Sequence, residues 1–262
     1  MTPPATPDFG TLSFVFPMWN EEGYIRRTVS AAVDLGDDLV AHRRIAGFEV
    51  LVVDDASADD TGAIADQLAA ADPRVRVVHH ETNRRLGGSL KTGFAHVTGD
   101  LVLYTDADLP FDLGEVHKAI RLLRNYEADI VSAYRLDRTG EGPRRAVYSW
   151  AYNGLVRTAF GVRLRDVNFA FKLVRRYVFD HVELTSEGSF IDAELLLRAQ
   201  RLGFQIIQFG VDYFPRTRGV STLSSGPVIA KIVWEMTSLS RELRRLEPLP
   251  QELIEKRRAE HP

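Results

Sequence analysis

Two carboxylates one residue apart, Asp106 and Asp108, close the apolar run LVLYT at residues 101–105. Side by side, two such groups repel each other unless a cation or a proton lies between them. On an extended backbone residues i and i+2 share a face, so both acids would present oxygen ligands together. Hard oxygen ligands of this kind suit a divalent ion such as Mg²⁺ or Mn²⁺. Taken alone, the pair reads more readily as a polar turn closed by an Asx cap. The elements around it decide between the two.

Residues 11–17 (TLSFVFP) read as a buried strand running into a loop, and Asn20 offers an N-cap for an amphipathic helix over about 20–35. Residues 48–53 (FEVLVV) form the next strand, ending in Asp54-Asp55-Ala56-Ser57. Asp59, Asp60 and Thr61 open a second helix carrying Ile64 and Leu68, and residues 75–79 make a third strand. A glycine-bearing turn at 83–93 leads into another helix, and 101–105 is the fourth strand. Strands alternating with helices predict an α/β fold with a mostly parallel sheet flanked by helices. Such a sheet binds ligands beyond the carboxyl ends of its strands. PMWNEE, DDAS and TDADLP would all gather at that edge, which favours the functional reading of the Asp106–Asp108 pair.

In the second half, Asp112 and Glu115 resemble a capping box ahead of a helix through Val116, Ile120 and Leu123. A strand is predicted over 129–134, a basic surface loop over 138–145, helices over about 146–160 and 190–202, and a strand over 204–209. From Val228, residues Ile229, Ile232, Val233, Met236 and Leu239 line one helical side. That helix suits the core, an oligomer contact or an in-plane membrane position. The charged tail after Pro248 is expected to fray. The organisation is therefore a disordered lead-in (1–10), one catalytic-type domain (11–227), and a C-terminal amphipathic helix with a charged tail (228–262).

The 262 residues are 45% hydrophobic and 26% charged, ordinary for a soluble globular protein. A net charge of −3 gives no general attraction to nucleic acid. With no cysteine, disulfides, thiolate metal sites and cysteine nucleophiles are excluded. No apolar run approaches the roughly 20 residues of a membrane span, and the start lacks the pattern of a signal peptide. A cytoplasmic location is expected, compatible with peripheral contact at the inner membrane face.

Read in series, FPMWNEE, VVDDAS, NRRLGGSLKTG, TDADLP, RDVNFAFK and RTRGVST resemble the motifs of family 2 glycosyltransferases of the GT-A fold. The branch they look most like is the polyprenyl-phosphate (dolichyl-phosphate) mannose and glucose synthases, over roughly residues 12–225. The resemblance implies inverting transfer of a hexose from a nucleoside-diphosphate sugar, of GDP-mannose or UDP-glucose type, to a polyprenyl phosphate. It implies that Pro17, Trp19 and Glu21 line the nucleotide pocket, that Asp55 accepts from a ring N–H of the base, and that Lys91 approaches the nucleotide. Asp106 would lie near the ribose or the metal's water shell, with Asp108 as the main ligand of Mg²⁺ or Mn²⁺. Arg135, Arg144 or Arg145, and Arg216 are candidates for the acceptor or diphosphate, with Ser221 adding a hydroxyl.

Departures from the branch pattern fall at Pro110, where a glutamine is usual, at Phe169, Ala170 and Lys172 in place of Ser, Gly and Arg, and at Thr222 in place of Lys. They bear on the sugar donor more than on the fold. Asp192 and Glu194 set the reaction type: a hydroxyl acceptor needs a carboxylate base, whereas a phosphate acceptor does not. One alternative is a family 2 enzyme with a soluble hydroxyl acceptor that uses Asp192 or Glu194 as base. The other is a non-catalytic nucleotide-sugar-binding protein. The sequence leaves the oligomeric state open.

Overall fold

The apolar runs of the first half are apolar on both faces, and that dictates how they pack. The computed structural model describes residues 6–137, 164–214, 238–243 and 245–260, with the single positions 154, 156, 160 and 161. Strands β1 (Phe9–Met18), β2 (Ile45–Asp54), β3 (Val75–His79) and β4 (Leu101–Thr105) alternate with helices α1 (Ile25–Ala41), α2 (Thr61–Ala71) and α3 (Arg85–His96). Leu12, Phe14 and Phe16 of β1 pack with Val50, Val52, Leu101 and Leu103 against α1. The alternate residues Val15, Leu51, Val53 and Val102 form a second layer with Phe94 of α3. A sheet covered on both faces is the usual setting for parallel strands.

Beyond β4 come α4 (Val116–Asn125), β5 (Ile130–Arg135), β6 (Phe171–Arg175), α5 (Ile191–Leu202), β7 (Ile206–Val211) and α6 (Gln251–Glu260). The sheet order is β3-β2-β1-β4-β6-β5-β7. Among the described residues only β6 runs against its neighbours, β4 and β5, so the mostly parallel α/β expectation holds. Since Thr105 pairs with Phe171, the start of β6 reaches the same edge as the ends of β1, β2, β4, β5 and β7. The order reverses between β1 and β4, where open α/β sheets form a crevice.

Several boundaries differ from the sequence reading. The first helix begins at Ile25 and runs to Ala41, because residues 20–22 bond to the loop after β2 instead of starting a helix. β1 begins at Phe9, inside the expected lead-in, where Asp8 pairs with Arg44 and Arg124. Strand β6 was not anticipated at all. The tail does not fray: α6 docks through Arg258, whose Nε and Nη2 donate to the buried Asp129 carboxylate at 2.8 and 2.6 Å. Most of the helices expected over 146–160 and 228–239 lies outside the described residues.

Candidate functional site

The loops that leave β1 and β2 are fastened to each other. The Asn20 backbone N–H donates to Ser57 Oγ at 3.0 Å, and the Asn20 side chain accepts from Ala58 N at 2.8 Å. Glu21 N donates to Thr61 Oγ1 at 2.8 Å, and Glu22 Oε2 accepts from Asp60 N at 3.1 Å. Asn20 and Ala56 adopt left-handed φ values of 56° and 57° to make this possible. On this platform Trp19 stands 53% exposed, so its ring is a free flat face, with Pro17 and Glu21 half-buried beside it.

Asp55 is held from several sides. Its backbone N–H donates to Met18 O, and its carbonyl accepts from Asn83 Nδ2 at 3.1 Å. Its Oδ1 receives His80 Nδ1 at 2.6 Å and Arg84 N at 2.7 Å. His79 pairs likewise with Asp54 at 2.8 Å and Asp66 at 3.0 Å. These two bonds raise its pKa above the ordinary value, Asp54 contributing most.

β4 ends at Thr105, so Asp106 and Asp108 lie on a turn and not on extended strand as expected. Leu109 N closes that turn onto Asp106 O at 3.3 Å, with Leu109 at φ 47°. The turn is pinned twice more, by Thr28 Oγ1 donating to Ala107 O and by Phe214 N donating to Pro110 O at 2.8 Å. Both acids are half-buried. Among the described residues no cluster of three or more His, Cys, Asp or Glu could hold a metal. A pair of carboxylates nevertheless fits Mg²⁺ or Mn²⁺, ions commonly held by one or two carboxylates together with substrate phosphates and water.

Arg135 ends β5, and its Nε and Nη2 form a two-pronged pair with Asp166, each bond 2.7 Å. Its guanidinium also lies over the rings of Phe169 and Tyr213. Asp192 opens α5 and faces the fully buried Lys172 of β6, Nζ to Oδ1 2.8 Å. Lys172 Nζ also donates to Phe169 O at 2.5 Å, and Tyr104 OH stands 3.5 Å from Asp192 Oδ2. Burial pushes the Asp192 carboxyl up from its ordinary range, and the Lys172 ammonium opposes that rise.

Glu194 faces elsewhere. It accepts from Thr185 N and Oγ1, from Ser186 N and from Arg198 Nε, all within 2.8 to 3.0 Å. It therefore clamps the 185–186 loop. Lys91 turns toward the same loop, 3.3 Å from Thr185 O and 3.6 Å from Glu187. A Cβ on Gly87 would lie 2.3 Å from Ser186 O, so only glycine lets α3 approach this closely.

The edge thus gathers Pro17, Trp19, Glu21, Asp55, Asp106, Asp108 and Arg135, while Glu194 and Lys91 contact the 185–187 loop. Arg144, Arg145, Arg216 and Ser221 lie outside the described residues, as do residues 138–145 and most of 229–239. His80 and Lys172 were not singled out for a role, although His80 lies at a strand end beside the Asp54–Asp55 pair.

The sequence profile described as Glycosyl transferase family 2 matches residues 13–182. The chain belongs to this family. Similar proteins include Glycosyltransferase AglD of Haloferax volcanii, 35% identical over 247 residues, covering 90% of this chain but 39% of that protein. The undecaprenyl-phosphate mannosyltransferase of Micrococcus luteus is 31% identical, covering 71% of this chain and 79% of its own. The polyprenol monophosphomannose synthase of Mycolicibacterium smegmatis is also 31% identical, covering 71% and 74%. Among solved structures, glucosyl-3-phosphoglycerate synthase from Mycobacterium tuberculosis, in complex with Mn²⁺, UDP-glucose and phosphoglyceric acid, aligns with a TM-score of 0.67 at 23% identity. It covers 92% of this chain and 81% of that one, and bears out the GT-A fold.

Proposed function

We propose that this family 2 chain transfers a hexose, with inversion, from a nucleoside-diphosphate sugar to a polyprenyl phosphate. An acceptor phosphate oxygen attacks the anomeric carbon as that carbon's bond to the diphosphate oxygen breaks. The nucleoside diphosphate leaves with the electron pair. Trp19 and Asp55 bind the nucleoside, and Asp106 and Asp108 would hold Mg²⁺ or Mn²⁺. When bound, that ion supplies Lewis-acid stabilisation of the charge on the departing diphosphate. Arg135, together with Arg216 and Ser221, is assigned to phosphate contacts, for which the arginine fork is suited. Peripheral contact with the membrane that carries the acceptor belongs to the same proposal.

One observation carries the choice of acceptor: both candidate bases are already engaged. Asp192 is paired with a buried ammonium, and Glu194 is saturated by the 185–186 loop and Arg198. A hydroxyl acceptor would need one of them to take a proton, whereas a phosphate arrives ionised and needs no base. The printed names of the Micrococcus and Mycolicibacterium relatives support the same acceptor class.

The test is transfer from labelled nucleotide sugars with Mn²⁺ to a short-chain prenyl phosphate, run beside the corresponding free prenol and free sugars. Product on the phosphate alone is expected. Transfer to a hydroxyl acceptor, abolished by Asp192→Asn, would overturn the reading.

A further inference from the structure

We infer that Asp55 selects a uracil-type base over guanine or cytosine. This deepens the nucleotide-sugar reading above and rests on it.

The carboxylate is a half-used acceptor. Oδ1 receives two N–H groups, from His80 and from the Arg84 backbone, at 2.6 and 2.7 Å. An oxygen of this kind has two lone-pair positions, so Oδ1 is full. Among the described residues no hydrogen bond reaches Oδ2. His80 and Asp55 cannot easily turn away from each other, since their side chains are 6% and 4% exposed. His80 is held at its other nitrogen by Thr92 Oγ1 at 2.9 Å, and Arg84 Nη1 lies 3.3 Å from the same hydroxyl. The Thr92 hydroxyl donating into Nε2 leaves the His80 proton on Nδ1, directed at Asp55. His80 is thus a positioning residue for the aspartate.

The bases differ in what they bring to such a group. Guanine presents two parallel donors, N1–H and an N2–H, a match for both oxygens of an open carboxylate. Here one of those donors would meet an oxygen already filled, and a buried donor without an acceptor is costly. Cytosine carries no proton at N3 and would set a lone pair against the carboxylate. Uracil offers a single N–H at N3 between two carbonyls, which is what one free oxygen can satisfy.

Titration calorimetry of the full chain with Mn²⁺ and UDP, GDP or CDP tests this. UDP is expected to bind at least about tenfold more tightly than GDP or CDP, the effect of one mismatched polar contact in a desolvated site. His80→Leu, which frees a position on Oδ1, should narrow the UDP-over-GDP ratio and leave Mn²⁺–pyrophosphate binding unchanged. His80→Asn, which keeps an N–H donor near the Nδ1 position, should hold the ratio. GDP binding as tightly as UDP in the unsubstituted protein would overturn the assignment, whatever the variants do. An unchanged ratio in folded His80→Leu would overturn the role of His80. Failure of every nucleoside diphosphate to bind would instead overturn the nucleotide-sugar reading, and this inference with it.

Discussion

The Lys172 ammonium and the Asp192 carboxylate lie 2.8 Å apart, their side chains only 0% and 3% exposed. The pair joins β6 to the start of α5, and the Lys172 bond to Phe169 O adds the turn that carries Asp166. Breaking one side leaves a buried charge without a partner. Lys172→Met should therefore cost about 3–5 kcal/mol, whereas replacing both partners with apolar residues should recover most of that loss. Urea unfolding of Lys172→Met and of Lys172→Met/Asp192→Leu checks this. A single variant within about 1 kcal/mol of the parent, a cost typical of an exposed pair, would contradict it.

Asp108→Ala should lower Mn²⁺-dependent transfer by at least about a hundredfold, the scale of losing a few kcal/mol of charge stabilisation. Because the turn is held by Thr28 and Phe214 through the backbone, the melting temperature should stay close to that of the parent. Undiminished turnover at saturating donor would remove Asp108 from the site.

Trp19→Ala should raise the donor KM by roughly three- to tenfold with little change in kcat, since an exposed ring of this kind contributes binding common to ground and transition states. Trp19→Phe should lie between the two. Steady-state kinetics that showed a fall in kcat alone would place the ring elsewhere in the cycle.

Glu194 makes stability depend on acid. Burial alone would raise its pKa, but the hydrogen bonds from Ser186 and Thr185 outweigh burial and hold it below the ordinary 4.5. A folded pKa lowered in this way contributes stability above the unfolded value, and that stability is lost as pH falls through the folded one. Glu194→Gln should thus cost about 1.5–3 kcal/mol near neutrality, the range for hydrogen bonds to a charged group. The gap from the parent should close below about pH 4.5. Thermal melts of both proteins from pH 7 to pH 3 give the comparison, and a gap that does not change with pH would contradict the assignment.

What could be read from the chain followed from how local its causes are. The first four strands are apolar runs long enough to be buried, and their polar ends announce Trp19, Asp55, Asp106 and Asp108. Strand β6 escaped because Phe171–Arg175 is short and its pairing with β4 and β5 depends on residues far away in sequence. Helix α6 was mistaken for a fraying tail because it has one buried apolar residue, Ile254, and docks through Arg258 on Asp129. The contacts of Lys91 with Thr185 and Glu187 could not be read from the sequence, because they belong to a loop that no local pattern connects to it. The restraint on Asp55 was hidden for the same reason: His80 meets it only through the parallel pairing of β2 with β3.

The place of β6 in the sheet also orders events during synthesis. The first four strands need only each other and are complete once Thr105 has emerged. β5 is made next but does not lie beside β4; within the sheet it waits for β6 and β7. Until Phe171–Arg175 leaves the ribosome, one side of β4 stays open as an unpaired edge, a template for association with other chains. A nascent or truncated chain ending before Phe171 should therefore aggregate through the strand that leads into Asp106 and Asp108.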